Sequence, residues 1–172
     1  MKRIAIDMDG VLANTTAQFL EYHARDTGIL LSEQEILGKA ESVAFPNVYT
    51  WVNTEGFFRT LPVMLDSQSV VKNLMAKYEV FIVSAATEFP NSLIDKQAWL
   101  KDHFPFISWK NVVFCGSKTI IKADIMIDDH FKNLDNFEGE TLLFTTHHNA
   151  LADAGKHQRV PTWREIETIL LR

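Results

Sequence analysis

Ile4-Ala5-Ile6-Asp7-Met8-Asp9-Gly10-Val11-Leu12 is an apolar run that ends in two acids, one residue apart, followed by a glycine. Successive side chains of a strand point to opposite faces, so Asp7 and Asp9 fall on the same side of the backbone. Gly10 permits a sharp exit from the strand. Two carboxylates converging at the end of a buried strand repel each other, and a cation or a shared proton must compensate. Phosphoryl chemistry uses such a pair: one carboxylate attacks phosphorus, the other handles a proton, and a magnesium ion neutralises the cluster. Alone, the same segment also reads as a solvated aspartate-rich turn or a loop metal site. The rest of the chain decides between them.

Four further apolar runs join Arg3–Asp7 as strands: Glu79–Ser84, Asn111–Cys115, Ile125–Asp128 and Thr141–Thr145. Most are continuous Ile, Val, Leu and Phe, the pattern of strands covered on both faces of a parallel sheet. Helical patterns lie between them. Asp66 reads as the N-cap of a helix through about Tyr78, Ser92 to His103 as a second helix, and Pro161-Thr162-Trp163 as the opening of a last one. Strands alternating with helices predict an α/β fold: a doubly wound, mostly parallel, five-stranded Rossmann-like sheet.

About 70 residues separate the first strand from the second, far more than a simple crossover needs. Within them lie a helical run (Ala17–Thr27), a polar patch and the aromatic-rich segment Phe45–Phe58. Structureless loops of that length are uncommon in compact domains. Residues 15–65 are therefore expected to form a small helical cap over the C-terminal edge of the sheet, where α/β proteins bind ligands. Residues 1–14 and 66–172 form the core domain in this reading.

The composition narrows the function classes. The chain has 172 residues, is 47% apolar and carries a net charge of -5. That balance gives no reason to expect a nucleic-acid polymer as partner. The one cysteine, Cys115, excludes a disulfide framework and fits a reducing cytoplasm, with the thiol as a small buried apolar group. The N-terminus opens directly on a strand pattern rather than a signal region, and no apolar window is long enough for a membrane span.

Three more signals fall at successive strand ends. The second strand closes on Ser84-Ala85-Ala86, where a hydroxyl and turn N–H groups can hold a phosphate oxygen. Gly116-Ser117-Lys118-Thr119 follows the third strand; Lys118 is preferred over Lys122 as the phosphate cation because it lies nearer the strand end. Ile125-Met126-Ile127-Asp128-Asp129-His130 ends a buried-looking strand on adjacent acids. Each signal is weak alone, and the last is the strongest of the three.

Acid pair, hydroxyl, lysine and acid pair in this order resemble the four motifs of the haloacid dehalogenase-like phosphohydrolase superfamily. Within it, Asp7-Met8-Asp9-Gly10-Val11-Leu12-Ala13, Gly56-Phe57-Phe58, Lys118-Thr119, Ile127-Asp128-Asp129, Phe144-Thr145-Thr146-His147-His148-Asn149 and Trp163-Arg164-Glu165-Ile166 look like the 5'(3')-deoxyribonucleotidases of the cytosolic type C family. The resemblance covers nearly the whole chain. It implies that Asp7 is the nucleophile, forming an aspartyl-phosphate, and that Asp9 protonates the leaving nucleoside oxygen and then activates water. Asp7, the main-chain carbonyl of Asp9, and Asp129 would hold Mg2+, with Asp128 in support. Ser84, Ala85 and Lys118 would hold the phosphate of a nucleoside monophosphate. A homodimer is also implied.

Two positions depart from that pattern. A threonine-serine pair after the second strand is replaced by Ser84-Ala85. An aromatic residue expected soon after the first motif is absent from Asn14-Thr15-Thr16. The second departure removes one wall of a base pocket. Phe45, Tyr49, Trp51, Phe57 and Phe58 could supply others, since flat aromatic faces stack on nucleobases; each is equally a candidate for the cap's own core. Phe45 and Trp51 are the choices for substrate-base contact, and Phe57-Phe58 for anchoring the cap. His147 and His148 read as surface or turn residues, because adjacent side chains at a strand end point apart. Two other readings compete with a nucleotidase: a phosphatase of another small phosphoester such as a sugar phosphate, and a phosphoacceptor signalling domain. The signalling domain places its acid after the third strand, where this chain has Phe114-Cys115-Gly116.

Overall fold

The computed structural model describes residues 1–172. After β1 (Lys2–Ile6) come four helices, α1 (Thr15–Thr27), α2 (Glu33–Ile36), α3 (Glu41–Ala44) and α4 (Val48–Val52). The chain continues as α5 (Ser67–Leu74), β2 (Tyr78–Ser84), α6 (Ser92–His103), β3 (Val112–Phe114), β4 (Ile125–Asp128), α7 (Phe131–Leu134), β5 (Glu140–Phe144), β6 (Gln158–Val160) and α8 (Trp163–Leu170). No helix is long and apolar enough to cross a membrane.

The sheet order is β3-β2-β1-β4-β5-β6, and every neighbouring pair is parallel. The chain winds outward from β1 to β2 and β3, then returns to the other side of β1 for β4. The reversal leaves a crevice at the C-terminal ends of β1 and β4, the place where open α/β sheets bind ligands. Ile6 stands in register with Ile82 of β2 and Ile127 of β4, so the acids that follow β1 and β4 emerge side by side.

The doubly wound α/β class holds, with six strands where the sequence predicts five. The missed strand, β6, has one buried apolar residue, Val160, and lies at the sheet edge, so it lacks the apolar run that marks the others. The side chains of Ile4, Ile6, Ile82, Ile125, Ile127, Leu142 and Phe144 share a core with Val70, Val71 and Leu74 of α5 and Trp163, Ile166 and Leu170 of α8. On the opposite face, Ala5, Val83, Met126 and Leu143 pack with Leu134 of α7.

Local capping sets the helix starts. Asn14 Oδ1 accepts from the Ala17 N–H at 3.0 Å, and Thr162 Oγ1 accepts from that of Glu165 at 3.2 Å. Asp66 occupies the N-cap position of α5 but makes no cap bond there; its backbone is left-handed, with φ of 64°, and its Oδ1 accepts instead from Arg164 Nη2 at 2.7 Å. Cys115 is half-buried beside β3 rather than fully enclosed.

Candidate active site

The parallel ladder persists one residue beyond β1: the Asp7 N–H donates to the Ile127 carbonyl at 2.9 Å. The chain then turns sharply. Gly10 donates its N–H to the Ala13 carbonyl at 2.9 Å with φ of 77°, a left-handed conformation that favours glycine. A β-carbon at Gly10 would also run into Asp129 Oδ2, so the loop approaches β4 as closely as it does only without a side chain. The indole N–H of Trp163 holds the far side of the turn through the Val11 carbonyl at 2.9 Å.

Four carboxylates gather here. Oxygens of Asp7, Asp128 and Asp129 lie within 4.8 Å of one another, and Asp9 joins them at the cavity wall. Lys118 Nζ is 2.7 Å from Asp7 Oδ1 and 2.6 Å from Asp128 Oδ2. Burial opposes its charge, but the two carboxylates hold the ammonium above its ordinary pKa. Lys122, the alternative cation, is exposed. Burial, together with Asp128, Asp129 and Asp9, lifts the Asp7 carboxyl well above the usual range, while Lys118 opposes that rise.

The two acids after β4 have different surroundings. Asp128 Oδ1 accepts from the His130 N–H at 2.9 Å, and both its oxygens accept from Asn133 Nδ2 at 3.0 Å in addition to the Lys118 contact. It is fully buried. Asp129 lines the cavity, and its Oδ1 is buried with no hydrogen-bond partner. Burial works to raise the Asp129 pKa, but His130 and His148 bring it below the usual range.

One central residue lies outside all four sequence motifs: Lys96 of α6. Only 1% exposed, it places Nζ 2.5 Å from Asp9 Oδ2, 3.1 Å from Ser84 Oγ and 4.4 Å from the Phe58 ring centroid. Its signal was available in the helical spacing. Lys96 lies four residues after Ser92 and three and four before Trp99 and Leu100, all buried, so a lysine occupies the inward stripe of the helix. Lysine is almost never buried without a partner.

Ser84 is completely buried, and its hydroxyl meets Lys96 rather than the cavity wall, which the next residue, Ala85, does line. Asp7, Asp9, Lys96, Lys118 and Asp129 form the polar floor of a cavity of about 290 Å³. Phe19, Val48, Tyr49, Val52 and Phe58 form its apolar walls, with Phe89 beside Ala85. Phe45 and Trp51, expected to touch a base, are absent from those walls. They are 0% and 2% exposed and pack with Phe19, while the Trp51 indole N–H donates to Asp26 Oδ2 at 2.7 Å. Their size and apolarity suit the core between α1 and α4 as well as they suit a ligand.

The histidines lie in a turn, as expected, with ring planes at 89°, but they are turned inward rather than out to the surface. His147 Nδ1 is 2.9 Å from Thr16 Oγ1, and His148 Nε2 is 3.0 Å from Asp129 Oδ2.

The donor set suits a hard divalent cation. With all four acids ionised, the two lysines leave two negative charges unbalanced, and Asp9 Oδ1 and Asp129 Oδ1 are both buried without partners. Magnesium takes such oxygen ligands and binds through a few carboxylates plus substrate phosphate.

The family model described as "5' nucleotidase, deoxy (Pyrimidine), cytosolic type C protein" matches residues 1–172. A 5'(3')-deoxyribonucleotidase of Bacillus subtilis (strain 168) is 46% identical over 173 residues, covering 99% of each chain. Among solved structures, a haloacid dehalogenase family hydrolase from Deinococcus radiodurans R1, with bound phosphate and sodium, superposes with a TM-score of 0.67 at 12% identity, covering 99% of this chain and 95% of that one. A protein of the same hydrolase type from Bacillus subtilis, solved bound to magnesium, gives a TM-score of 0.57 at 13% identity, covering 99% of both chains. At those identities the two structures speak for the fold.

Proposed function

The chain belongs to the cytosolic type C family of 5'-nucleotidases and is a phosphomonoester hydrolase, and we propose that it is a magnesium-dependent 5'(3')-deoxyribonucleotidase acting on nucleoside monophosphates. One observation carries this reading: two lysines and three carboxylates, with Asp128 buried behind them, meet at the floor of one cavity that aromatic and apolar side chains wall on one side.

In this mechanism an Asp7 oxygen attacks phosphorus. The bond from phosphorus to the nucleoside oxygen breaks, and Asp9 gives that oxygen a proton. The aspartyl-phosphate is then hydrolysed: Asp9 takes a proton from water, the water oxygen attacks phosphorus, and Asp7 is released as a carboxylate with free phosphate. Dividing hydrolysis into two displacements lowers the barrier of each. Asp7, the main-chain carbonyl of Asp9, and Asp129 would hold Mg2+, which offsets charge on the phosphoryl oxygens. Asp128, saturated by Lys118, Asn133 and the His130 N–H, fits a supporting role. Lys118 and the Ala85 backbone would bind phosphate. Ser84, off the cavity wall, acts through Lys96: its oxygen accepts from the ammonium that meets Asp9.

Residues 15–65 act in this reading as a cap on the core formed by residues 1–14 and 66–172. Two hydrogen bonds of 2.7 Å, from the Asn14 N–H to the Pro62 carbonyl and from the Met64 N–H to the Leu12 carbonyl, bring the ends of that segment together, as an insertion requires. Tyr49, 64% exposed at the cavity wall, is the base-stacking surface we infer in place of Phe45 and Trp51. The cytosolic family description supports a cytoplasmic enzyme, and a homodimer completes the reading.

Purified protein assayed with Mg2+ against deoxyribonucleoside monophosphates, ribonucleoside monophosphates and sugar phosphates tests the proposal. Nucleotides should be preferred, chelation of Mg2+ should stop turnover, and Asp7→Asn should abolish it while the protein stays folded. Preferential hydrolysis of sugar phosphates, or turnover retained by Asp7→Asn, overturns it.

A further inference from the structure

Glu41, His130 and His148 converge at the mouth of the cavity, beside the catalytic carboxylates. His148 Nε2 lies 3.7 Å from Glu41 Oε1 and 3.0 Å from Asp129 Oδ2. His130 Nε2 lies 4.0 Å from Glu41 Oε1 and 4.0 Å from Asp129 Oδ1. The donor atoms of Glu41, His130 and His148 all fall within 4.8 Å of one another. The two imidazoles stack nearly parallel, with centroids 4.4 Å apart and planes 16° apart; each Nε2 lies within 4.0 Å of Glu41 Oε1, and ligation of one ion by both requires the more exposed His130 ring to turn out of the stack. Asp129 Oδ1, 4.0 Å from His130 Nε2, is buried without a hydrogen-bond partner.

These spacings lie close to those of a metal polyhedron. A tetrahedral zinc site with bonds of about 2.0–2.1 Å separates its donors by roughly 3.3 Å; Glu41 Oε1 stands 3.7 and 4.0 Å from the two imidazole nitrogens, and all three donors fall within 4.8 Å, so small side-chain shifts close the set. The donor types discriminate as well. Imidazole nitrogen suits zinc and its neighbours in the transition series, whereas magnesium favours oxygen. The set around Asp7 offers oxygen; the set around Glu41 offers two nitrogens and carboxylate oxygen.

We propose that Glu41, His130 and His148 form a three-ligand binding site, completed by water, for a divalent transition-metal ion of zinc's coordination preferences, adjacent to the catalytic carboxylates. Glu41 belongs to α3, between β1 and β2, whereas His130 and His148 follow β4 and β5. The bound ion therefore ties the helical segment to the sheet across the cavity mouth. Ligation of His148 Nε2 breaks its 3.0 Å contact with Asp129 Oδ2, so zinc perturbs hydrolysis; this consequence, unlike binding itself, rests on Asp129 serving the catalytic ion.

Equilibrium dialysis of Zn2+ against the wild-type chain in excess Mg2+ tests the site, alongside Glu41→Gln and His130→Asn. One Zn2+ per chain should be retained, with affinity falling at least about tenfold in each variant. Co2+ bound to the wild-type protein should show the intense visible absorption of a tetrahedral ion. No zinc retained in excess Mg2+, affinity unchanged in both variants, or only the weak spectrum of octahedral Co2+ overturns the proposal. None of these readouts needs turnover. A nucleotidase that binds no zinc removes this site alone, and a zinc-binding protein without nucleotidase activity removes the proposed function alone.

Discussion

Lys96 Nζ lies 2.5 Å from Asp9 Oδ2 while the other oxygen of that carboxylate, Oδ1, is buried without a partner. The ammonium thus fixes one oxygen of the proposed acid–base and leaves the second for substrate or water. A positioned acid–base is worth roughly 10²–10⁴-fold in rate, and Lys96 supplies part of the positioning. Asp9→Asn should lower kcat within that range and Lys96→Ala by about 10²-fold. The double variant should be little slower than Asp9→Asn alone, because groups acting as a unit are not additive. Losses that multiply in steady-state assays would show that Lys96 acts apart from Asp9.

Gly10→Ala should damage stability and site together. Its backbone has φ of 77°, and the added methyl would meet the Asp129 carboxylate. The left-handed conformation alone costs an L-residue about 1–2 kcal/mol, or about 2–8 °C in Tm for a chain of this size. Displacement of Asp129 should further weaken Mg2+ dependence, raising the Mg2+ concentration for half-maximal rate. A normal metal requirement in a variant with lowered Tm would separate the turn from the site.

The sequence was most legible where chemistry and periodicity coincided. Ile125–Asp128 and Ser92–His103 have the predicted limits, because a continuous apolar run and a regular inward stripe each end at polar residues. Asp7, Asp9, Lys118, Asp128 and Asp129 converge because each follows or ends a parallel strand, and the strand order brings those ends together. Lys96 escaped notice because it lies in the middle of a helix, where only its register marks it as inward. Phe45 and Trp51 fall in the buried core rather than on the cavity wall, because aromatic composition does not say which ring faces a cavity. The environment of His148 depends on Asp129, which is 19 residues away in sequence, and no local pattern encodes that contact.

Tyr49 and Trp51 should therefore respond differently to substitution. Base stacking contributes about 1–3 kcal/mol in single-strand binders, so Tyr49→Ala should raise KM for nucleotides about tenfold or more with little change in Tm. Trp51→Phe loses the 2.7 Å bond to Asp26 and alters a buried aromatic core. It should lower Tm and leave base selectivity unchanged. A selectivity change in Trp51→Phe, with none in Tyr49→Ala, would restore Trp51 to the ligand wall.

Acid should weaken the fold partly through Asp26 and Glu167. Hydrogen bonds from Arg25 and then Trp51 hold the Asp26 pKa below its ordinary value, and bonds from Asn73 and then Arg164 do the same for Glu167. A depressed folded-state pKa contributes stability in full above the unfolded value, near about 4, and loses it as pH falls through the folded value. Both groups lie near solvent, so each contribution is modest. Tm should be nearly level above about pH 5 as far as these groups are concerned and should fall below about pH 4. In Asp26→Asn the amide oxygen can still accept from Trp51, but the charge beside Arg25 is gone. That variant should start from a slightly lower Tm at pH 7 and lose less between pH 5 and 3, where the Asp26 proton no longer enters the balance. Parallel wild-type and variant curves in thermal denaturation across that range would mean that Asp26 has the same pKa folded and unfolded, and that the Arg25 contact does not persist in solution.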